Sequence, residues 1–316
     1  MAAGGLAVLA IGGNALIRDR QHESILDQYE MVCALTGEIA GMIEAGWRVV
    51  VTHGNGPQVG FILRRSELAI AEVPPVPMDY AGADIQGGVG YMFVRALRNE
   101  FLRRGLRRQA VAVITQTVVD RNDPAFANPT KPIGSHMEEA RAKELAARYR
   151  WTVRDDAGRG WRRVVPSPKP QTIVETDVIR TLAREGYVVV ACGGGGIPVI
   201  EDEKGDLQGV EAVIDKDLAS SLLARSLGAD ALVLPTGVEK VALDFNKPSQ
   251  RWLERMTLAE ARRHQAEDQF DKGSMGPKVA ALIDFVSGGG RLGLITDPPN
   301  ITRALRGESG TRVVAS

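Results

Sequence analysis

Short apolar runs alternate with longer segments of helical spacing along most of the chain. Leu6–Ile11 is continuously apolar, and Gln28–Ala45 then repeats apolar side chains at the spacing of one helix face. Further apolar runs of strand length follow at Arg48–Thr52, Gln109–Thr115, Tyr187–Ala191 and Ala231–Leu234, with helical segments between them, one of which is predicted at Gly87–Arg104. Such alternation is typical of a mainly parallel sheet with helices on both faces. The sequence therefore predicts an α/β fold, with a core built from aliphatic side chains.

Glycine-rich loops follow three of these predicted strands. Gly12-Gly13-Asn14 ends the first strand, His53–Gly60 ends the second, and Gly193–Gly196 follows Tyr187–Ala191. Ligands of open α/β sheets bind at the carboxyl ends of the strands, and glycines let backbone N–H groups approach an anion closely. The P-loop spacing G-x-x-x-x-G-K-[ST] is absent, and Gly54, Gly56 and Gly60 miss the dinucleotide spacing G-x-G-x-x-G by one residue. The loops together predict a phosphate-handling site of another kind.

Composition and charge exclude several classes of protein. Lys and Arg total 39, as do Asp and Glu, so the net charge is zero, whereas nucleic-acid and membrane-surface binding depend on excess basic charge. Two cysteines, Cys33 and Cys192, are too few for a disulfide scaffold or a zinc site. No stretch approaches the roughly 20 apolar residues of a membrane span. We expect a soluble, cytoplasmic protein that binds neither nucleic acid nor membrane.

Asp215-Lys216-Asp217 places a lysine between two carboxylates where an apolar run changes to a helical one. Nearby carboxylates favour the charged form of an ammonium group, so we expect Lys216 to stay protonated inside the site. The plain alternative is a helix start with Asp217 as its cap and Lys216 in solvent. Lys131 and Lys278 lie at comparable junctions, which are positions suited to holding phosphate oxygens.

Residues 120–168 interrupt the layered pattern. This segment is rich in turn-forming residues and contains one helical piece, Glu138–Tyr149. We interpret it as a lid or small subdomain inserted in one domain that spans residues 1–316.

Long motifs along the chain resemble the carbamate kinases, within the amino acid kinase superfamily. The similarity runs in order from about residue 6 to the C-terminus. The motifs that carry it are Gly12–Ala15, His53–Gly60, Asn122–Phe126, Lys131–Gly134, Asp156–Gly160, Arg163–Pro170, Cys192–Val199, Gly209–Ser220 and Gly273–Lys278.

The resemblance implies a fold and a reaction. The fold is a three-layer αβα sandwich with an open, mostly parallel central sheet of about eight strands and a small protruding subdomain. The reaction is the reversible, Mg²⁺-dependent transfer ATP + carbamate ⇌ ADP + carbamoyl phosphate, carried out by a homodimer. We expect it to run toward ATP formation in catabolism, arginine metabolism included. Carbamate attacks through an oxygen that is already anionic, so the reaction needs no general base.

The resemblance also implies roles for particular residues. Lys131, Lys216 and Lys278 are the expected catalytic lysines, and Asp215 is expected to organise them. The substrate and phosphate loops are expected to contribute Gly12, Gly13, Asn14, Gly54 and Asn55. The expected ATP-binding residues are Gly194, Gly195, Thr236, Gly237, Val241, Ser274, Met275 and Gly276. We expect Mg²⁺ to be held mainly by ATP oxygens, without a dedicated set of protein ligands.

Two short segments depart from the family pattern. Asp84 and Ile85 occupy positions where small or hydroxyl residues are expected, which bears on acceptor selectivity. After Leu234 the chain reads Pro-Thr-Gly-Val-Glu-Lys, which bears on how the adenine is held.

Three alternatives remain open at this point. The chain could be a kinase of the same superfamily that acts on another small carboxylate. It could also be a nucleotide-binding sensor that has lost catalysis, or a Rossmann-type NAD enzyme. The lysines and glycine loops favour phosphoryl transfer over the second and third alternatives.

Overall fold

The computed structural model describes residues 4–19, 21–156, 158–271 and 273–316. In chain order the strands are β1 (Leu6–Ile11), β2 (Arg48–His53), β3 (Ala110–Ala112), β4 (Gln116–Val119), β5 (Lys131–Met137), β6 (Thr152–Asp155), β7 (Trp161–Val165), β8 (Pro170–Ile173), β9 (Val188–Val190), β10 (Ile197–Glu201), β11 (Leu207–Gly209), β12 (Ala231–Pro235), β13 (Val241–Leu243), β14 (Arg251–Leu253), β15 (Arg255–Thr257), β16 (Leu292–Thr296) and β17 (Thr311–Val314). The α-helices are α1 (Ile25–Glu44), α2 (Gly56–Ala69), α3 (Met78–Arg104), α4 (Pro124–Ala127), α5 (Glu139–Tyr149), α6 (Thr176–Arg184), α7 (Lys216–Leu227), α8 (Leu258–Ala266), α9 (Met275–Ser287) and α10 (Ile301–Leu305).

Eight strands form the central sheet in the order β15-β17-β16-β12-β1-β2-β9-β3. From β16 to β3 every neighbouring pair is parallel. Strand β17 pairs antiparallel with β16, and β15 runs parallel to β17, so only this end of the sheet is reversed. The mostly parallel sheet of eight strands predicted from the sequence is confirmed.

Helices cover both faces of this sheet. Along β1, alternate side chains point to opposite faces, as the pleat of a strand requires. Leu9 packs in a core with Ile39 of α1 and Phe93 of α3, whereas Val8 packs in a second core with Leu223 of α7. The sheet thus separates two apolar cores, which is the three-layer arrangement expected.

Two helices begin earlier than their apolar periodicity indicates. Ser24 and Asp27 form a capping box that starts α1 ahead of the predicted Gln28. Helix α3 starts at Met78, directly after Pro77, whereas we predict helix only from Gly87. Gly87 and Gly88 lie on the exposed side of α3, so the helix continues through them because its other side is buried.

The inserted segment contains a separate antiparallel sheet. Its strand order is β5-β7-β6, and α5 connects β5 to β6. The limits 120–168 of the lid, and its status as a part of one domain, stay predictions. In the regions that the structure describes, no helix is both long enough and apolar enough to span a bilayer.

Candidate active site

A cavity of about 1180 Å³ lies at the carboxyl ends of β1, β2 and β12. Most of the predicted site residues line this cavity, which we call the cleft. Those that line it are Gly12, Gly13, Asn14, Gly54, Asn55, Lys131, Gly194, Asp215, Lys216, Thr236, Gly237, Ser274 and Lys278. The structure therefore brings together three lysines that are far apart in the sequence.

The first two glycine loops pack directly against each other. The backbone N–H of Gly54 donates to Ile11 O at 2.8 Å. A Cβ atom on Gly54 would lie 2.6 Å from Gly13 N, closer than real Cβ contacts allow. Glycine is thus required here because two backbones meet, and this contact keeps the N–H groups of both loops beside the cleft.

The third glycine loop approaches the second. Gly194 has φ of +68°, and a Cβ atom built on it would lie 2.2 Å from Asn55 Nδ2. Gln86 of α3 supports the loop from behind, because its Nε2 donates to Thr115 O and to Gly193 O, each at 3.0 Å. All three loops consequently surround one space.

Asp217 joins two of the three lysines. Lys216 Nζ donates to Asp217 Oδ1 at 2.6 Å and to Ala10 O at 3.1 Å. Lys278 Nζ, which comes from the first turn of α9, donates to Asp217 Oδ2 at 3.1 Å. Sequence reasoning missed Asp217 as the shared partner, because only tertiary packing of α9 against α7 brings Lys278 to it.

Asp215 has a different place from the one expected. Its Oδ1 accepts hydrogen bonds from the backbone N–H groups of Asp217, at 2.9 Å, and Leu218, at 3.2 Å, so Asp215 is the N-cap of α7. The hydrogen bonds to Lys216 and Lys278 are made by Asp217, whereas Asp215 acts on Lys216 through its charge, and its organising role stays a prediction. The alternative with Asp217 as the cap and Lys216 in solvent is wrong, since Asp215 is the cap and the Lys216 side chain is only 13% exposed.

Burial and charge act in opposite directions on this cluster. Burial lowers the pKa of Lys216, the charge of Asp217 opposes that effect, and the nearby ammonium of Lys278 adds to it. Desolvation is the larger effect, so the pKa of Lys216 lies below its ordinary value, while the flanking carboxylates of Asp217 and Asp215 favour the charged form. Burial alone would raise the pKa of Asp217, but the charges and hydrogen bonds of the two lysines lower it. The Asp217 carboxylate is held in its ionised form.

Further cations line the cleft beyond the predicted lysines. Lys131 is exposed at the start of β5, and Arg18, Arg64 and Arg162 also border the cavity. Arg162 Nη2 donates to Gly134 O at 2.9 Å, which holds this guanidinium against the strand that carries Lys131. Sequence reasoning missed these arginines; the signal for Arg162 is its position between the motifs Asp156–Gly160 and Arg163–Pro170.

His53 is a packed residue. It is fully buried, its Nδ1–H donates to Gly54 O at 3.0 Å, and its ring stacks near Phe93. Burial lowers the pKa of His53 to about 4. His53 is consequently neutral near pH 7 and supports the second glycine loop.

Within the described ranges, no group of three or more His, Cys, Asp or Glu side chains is placed to hold a metal ion. Both carboxylates nearest the lysines already have partners, namely the α7 cap and the two ammonium groups. This donor set fits an ion that arrives with its own phosphate oxygens better than one in a protein cage.

Comparison with known proteins agrees with this geometry. The model of the amino acid kinase family matches residues 5–297. The chain is 48% identical to the carbamate kinase of Thermococcus kodakarensis over 310 residues, covering 97% of this chain and 98% of that protein. It is 47% identical over 312 residues to the carbamate kinase-like protein YahI of Escherichia coli, covering 98% of each. The solved structure of the carbamate kinase from Giardia lamblia bound to AMP-PNP has a TM-score of 0.94 at 42% identity, covering 99% of both chains.

The chain belongs to the carbamate kinase family.

In this carbamate kinase the predicted ATP-binding residues fall into two groups. Gly194, Thr236, Gly237 and Ser274 line the cleft. The other four, Gly195, Val241, Met275 and Gly276, are not among its lining residues. Gly195 and Gly276 lie against backbone, since added Cβ atoms would meet Ile214 O at 2.7 Å and Asp271 O at 3.0 Å. Both positions therefore require glycine to shape their loops, and the ATP-binding role of these four residues stays a prediction.

The two departures from the carbamate kinase pattern differ in position. Ile85 is buried in the core beside the sheet, and Asp84 is exposed on α3; neither lines the cleft. Thr236 and Gly237 do line it, whereas Lys240 forms an ion pair with Glu254 at 2.9 Å.

Proposed function

We propose that this enzyme transfers a phosphoryl group reversibly between ATP and carbamate, giving ADP and carbamoyl phosphate. The observation that carries the proposal is the convergence of Lys131, Lys216 and Lys278 on one cleft bordered by three glycine loops. Bringing an anionic acceptor to a polyanionic donor is the main difficulty of this reaction. Ammonium groups and backbone N–H groups remove it by stabilising charge on the transferring phosphoryl oxygens.

Lys216 and Lys278 are proposed to hold oxygens of the transferred group and of the neighbouring phosphate. Asp217 keeps their two ammonium groups side by side despite mutual repulsion, because it accepts a hydrogen bond from each. The N-terminus of α7, at Lys216, adds a favourable dipole for an anion. The backbone N–H groups of Gly12, Gly13 and Gly54, with the amide of Asn55, are proposed to bind the remaining oxygens.

No general base is needed in this scheme. The attacking carbamate oxygen already carries negative charge, so no proton has to be removed. Asp217, which lines the cleft, is ionised and accepts hydrogen bonds from two lysines. Positioning of two bound reactants supplies about 7–11 kcal/mol in favourable cases and is the main contribution expected here.

ATP and ADP are the proposed nucleotides, with the base and ribose beside Thr236, Gly237 and Ser274. Mg²⁺ is proposed to enter bound to the nucleotide, where it would neutralise charge on the β- and γ-phosphates. Asp215 lines the cleft, with its Oδ1 engaged in the α7 cap, and would be a carboxylate near such an ion.

Lys131 is proposed to act from a lid, residues 120–168, that approaches the rest of the domain when substrates bind. Lys131 is the first residue of β5, a strand of the separate antiparallel sheet, and its side chain is exposed at the cleft. In that position it can contact the acceptor and the transferring phosphoryl group without taking part in nucleotide binding.

A homodimer is proposed to form through the β3 edge of the central sheet. Strand β3 ends the sheet, and α3 packs beside it with Tyr91 61% and Leu102 74% exposed. Ile114, just beyond β3, is also exposed. An open edge with apolar neighbours is a natural pairing surface. Light scattering after size-exclusion chromatography should give twice the chain mass, and Tyr91→Glu should reduce it to one chain.

The proposed location is the cytoplasm, where ATP and ADP are available, and the proposed direction is ATP formation. Carbamoyl phosphate is an acyl phosphate, a class of compound that donates its phosphoryl group readily to ADP.

The decisive experiment measures ATP formation from ADP and carbamoyl phosphate in the presence of Mg²⁺, with acetyl phosphate as control. We expect rapid ATP formation with the first donor and little with the second. Equal rates with both, or a higher rate with another carboxylate in the reverse reaction, would support a kinase of the same superfamily with a different acceptor. ATP binding without transfer would support a nucleotide sensor.

A further inference from the structure

Two residues to which the reaction assigns no chemistry, Arg163 and Glu211, meet at the base of the inserted segment. Arg163 Nη2, from the motif Arg163–Pro170, donates to Glu211 Oε2, from the motif Gly209–Ser220. A backbone bond lies beside this ion pair, since Val213 N donates to Pro166 O at 3.0 Å. The end of β7 is therefore attached to the segment that leads into α7.

Arg163 is unusually buried for an arginine. Its side chain is 8% exposed, and its guanidinium lies 4.4 Å from the centre of the Trp151 ring. A buried guanidinium requires a charged partner, because an uncompensated charge in such a position is strongly destabilising. Glu211, whose side chain is 53% exposed, supplies this partner by a direct hydrogen bond, and the charge of Glu67 also favours the guanidinium.

The other oxygen of Glu211 binds the main body of the fold. Glu211 Oε1 accepts a hydrogen bond from Met78 N, the first residue of α3, at 3.0 Å. A carboxylate at a helix N-terminus is also favoured by the helix dipole. One side chain thus joins β7 of the inserted sheet to the start of α3; we call the Arg163–Glu211–Met78 contacts the latch.

The latch lies close in structure to two of the catalytic lysines. In the β5–β7 pair, Ile133 is opposite Arg163 and Lys131 is opposite Val165. On the other side, the segment that carries Glu211 continues through Val213 directly to Asp215 and Lys216. The position of Lys131 relative to Lys216 consequently depends on where the latch holds β7.

We propose that Glu211 is a positioning residue whose contacts with Arg163 and Met78 set the distance of Lys131 from Lys216 in the assembled site. This inference rests on the proposed roles of those two lysines. Glu211 does not line the cleft, and its effect on turnover passes through Lys131.

Glu211→Gln tests the inference with little change in shape. The amide oxygen can still accept from Met78 N, whereas the negative charge opposite Arg163 is lost. A displacement of about 1 Å in a reacting group can reduce rates about 100-fold, so we expect turnover to fall by about 10- to 100-fold, with the KM for ADP changed by less than about 2-fold. The matched control is Glu144→Gln, which removes the exposed Arg141–Glu144 ion pair of α5 and should leave turnover unchanged.

A double substitution distinguishes positioning from general damage. In a Lys131→Ala background, Glu211→Gln should reduce turnover little further, because the group that it positions is already absent. Equal reductions in both backgrounds would overturn the inference.

Hydrogen exchange supplies a readout that does not depend on the reaction. Backbone exchange in β5 and β7 should rise in Glu211→Gln and remain unchanged in Glu144→Gln. Unchanged exchange in Glu211→Gln would also refute the latch. If Glu211→Gln does not fold, Arg163→Lys is the second variant, with the same expectations. A wild-type enzyme that forms no ATP from carbamoyl phosphate would refute the proposed function, while the exchange measurement would still decide the latch.

Discussion

Asp217 should be the carboxylate on which the site depends, and Asp217→Asn tests this. Its two oxygens lie 2.6 Å from Lys216 Nζ and 3.1 Å from Lys278 Nζ, and its side chain is 7% exposed. Opposite unit charges about 4 Å apart attract by about 4 kcal/mol at an effective dielectric constant of about 20. Removing one member of a buried charge cluster costs about 3–5 kcal/mol. If the same free energy is lost when the two lysines stabilise the transferring phosphoryl group, turnover should drop by about two to four orders of magnitude.

The same substitution should change the pH dependence of turnover. Burial already lowers the pKa of Lys216, and Asp217 is the largest influence that opposes it. Without that carboxylate the pKa falls further, so Lys216 binds its proton only at lower pH. The activity of the variant relative to wild type should therefore rise as the pH decreases.

The assay is the initial rate of ATP formation from ADP and carbamoyl phosphate between about pH 6 and pH 9. Asp284→Asn is the matched control, because it makes the same change at a carboxylate of α9 whose ion pair with Arg225 of α7 is partly exposed and does not line the cleft. A decrease below about 10-fold in Asp217→Asn with a wild-type pH profile would refute the reasoning. So would an equal loss in Asp284→Asn.

Three further predictions follow from the same contacts. Gly193→Ala should lower the free energy of unfolding by about 1–3 kcal/mol, because the new Cβ would lie 2.6 Å from His53 Nε2; Gly237→Ala, with no atom within 4 Å, should unfold in denaturant like wild type. The folded-state pKa of His53 is about 4, against 6.5 unfolded. Stability should therefore fall as the pH decreases through this range, by about 2 kcal/mol at pH 5, and His53→Gln should lack this loss in urea titrations. Lys131→Ala should reduce turnover more than ATP affinity measured by calorimetry; equal losses would argue against a lid-borne role.

Much of the layered fold follows from local sequence. Leu6–Ile11 is predicted as a strand and forms β1 with the same limits, because a continuous apolar run ended by two glycines has few other solutions. Gln109–Thr115, in contrast, is predicted as one strand, whereas the chain leaves the central sheet after Ala112 and enters a second sheet at Gln116. The apolar pattern of a strand does not reveal with which other strands it pairs, and therefore to which sheet it belongs.

The candidate site divides in a similar way. Lys216 and the glycine loops that surround it in the cleft can be predicted from motifs, since each motif is contiguous in the chain. The hydrogen bonds of Asp217, rather than Asp215, with two lysines cannot be predicted in this way. Both carboxylates flank the same lysine, and the choice depends on which one faces the first backbone N–H groups of α7 and which one faces α9.

By itself, the sequence determined the parallel α/β architecture, the loops that end its strands and the family to which the chain belongs, because these depend on periodicity and on contiguous motifs. Only the tertiary structure decided that Asp217 bridges two lysines, that Arg162 borders the cleft and that Glu211 joins the inserted sheet to α3. The physical reason is that a charged side chain is stabilised by whichever opposite charge packing brings to it, and residues 217 and 278 meet only when α9 packs against α7.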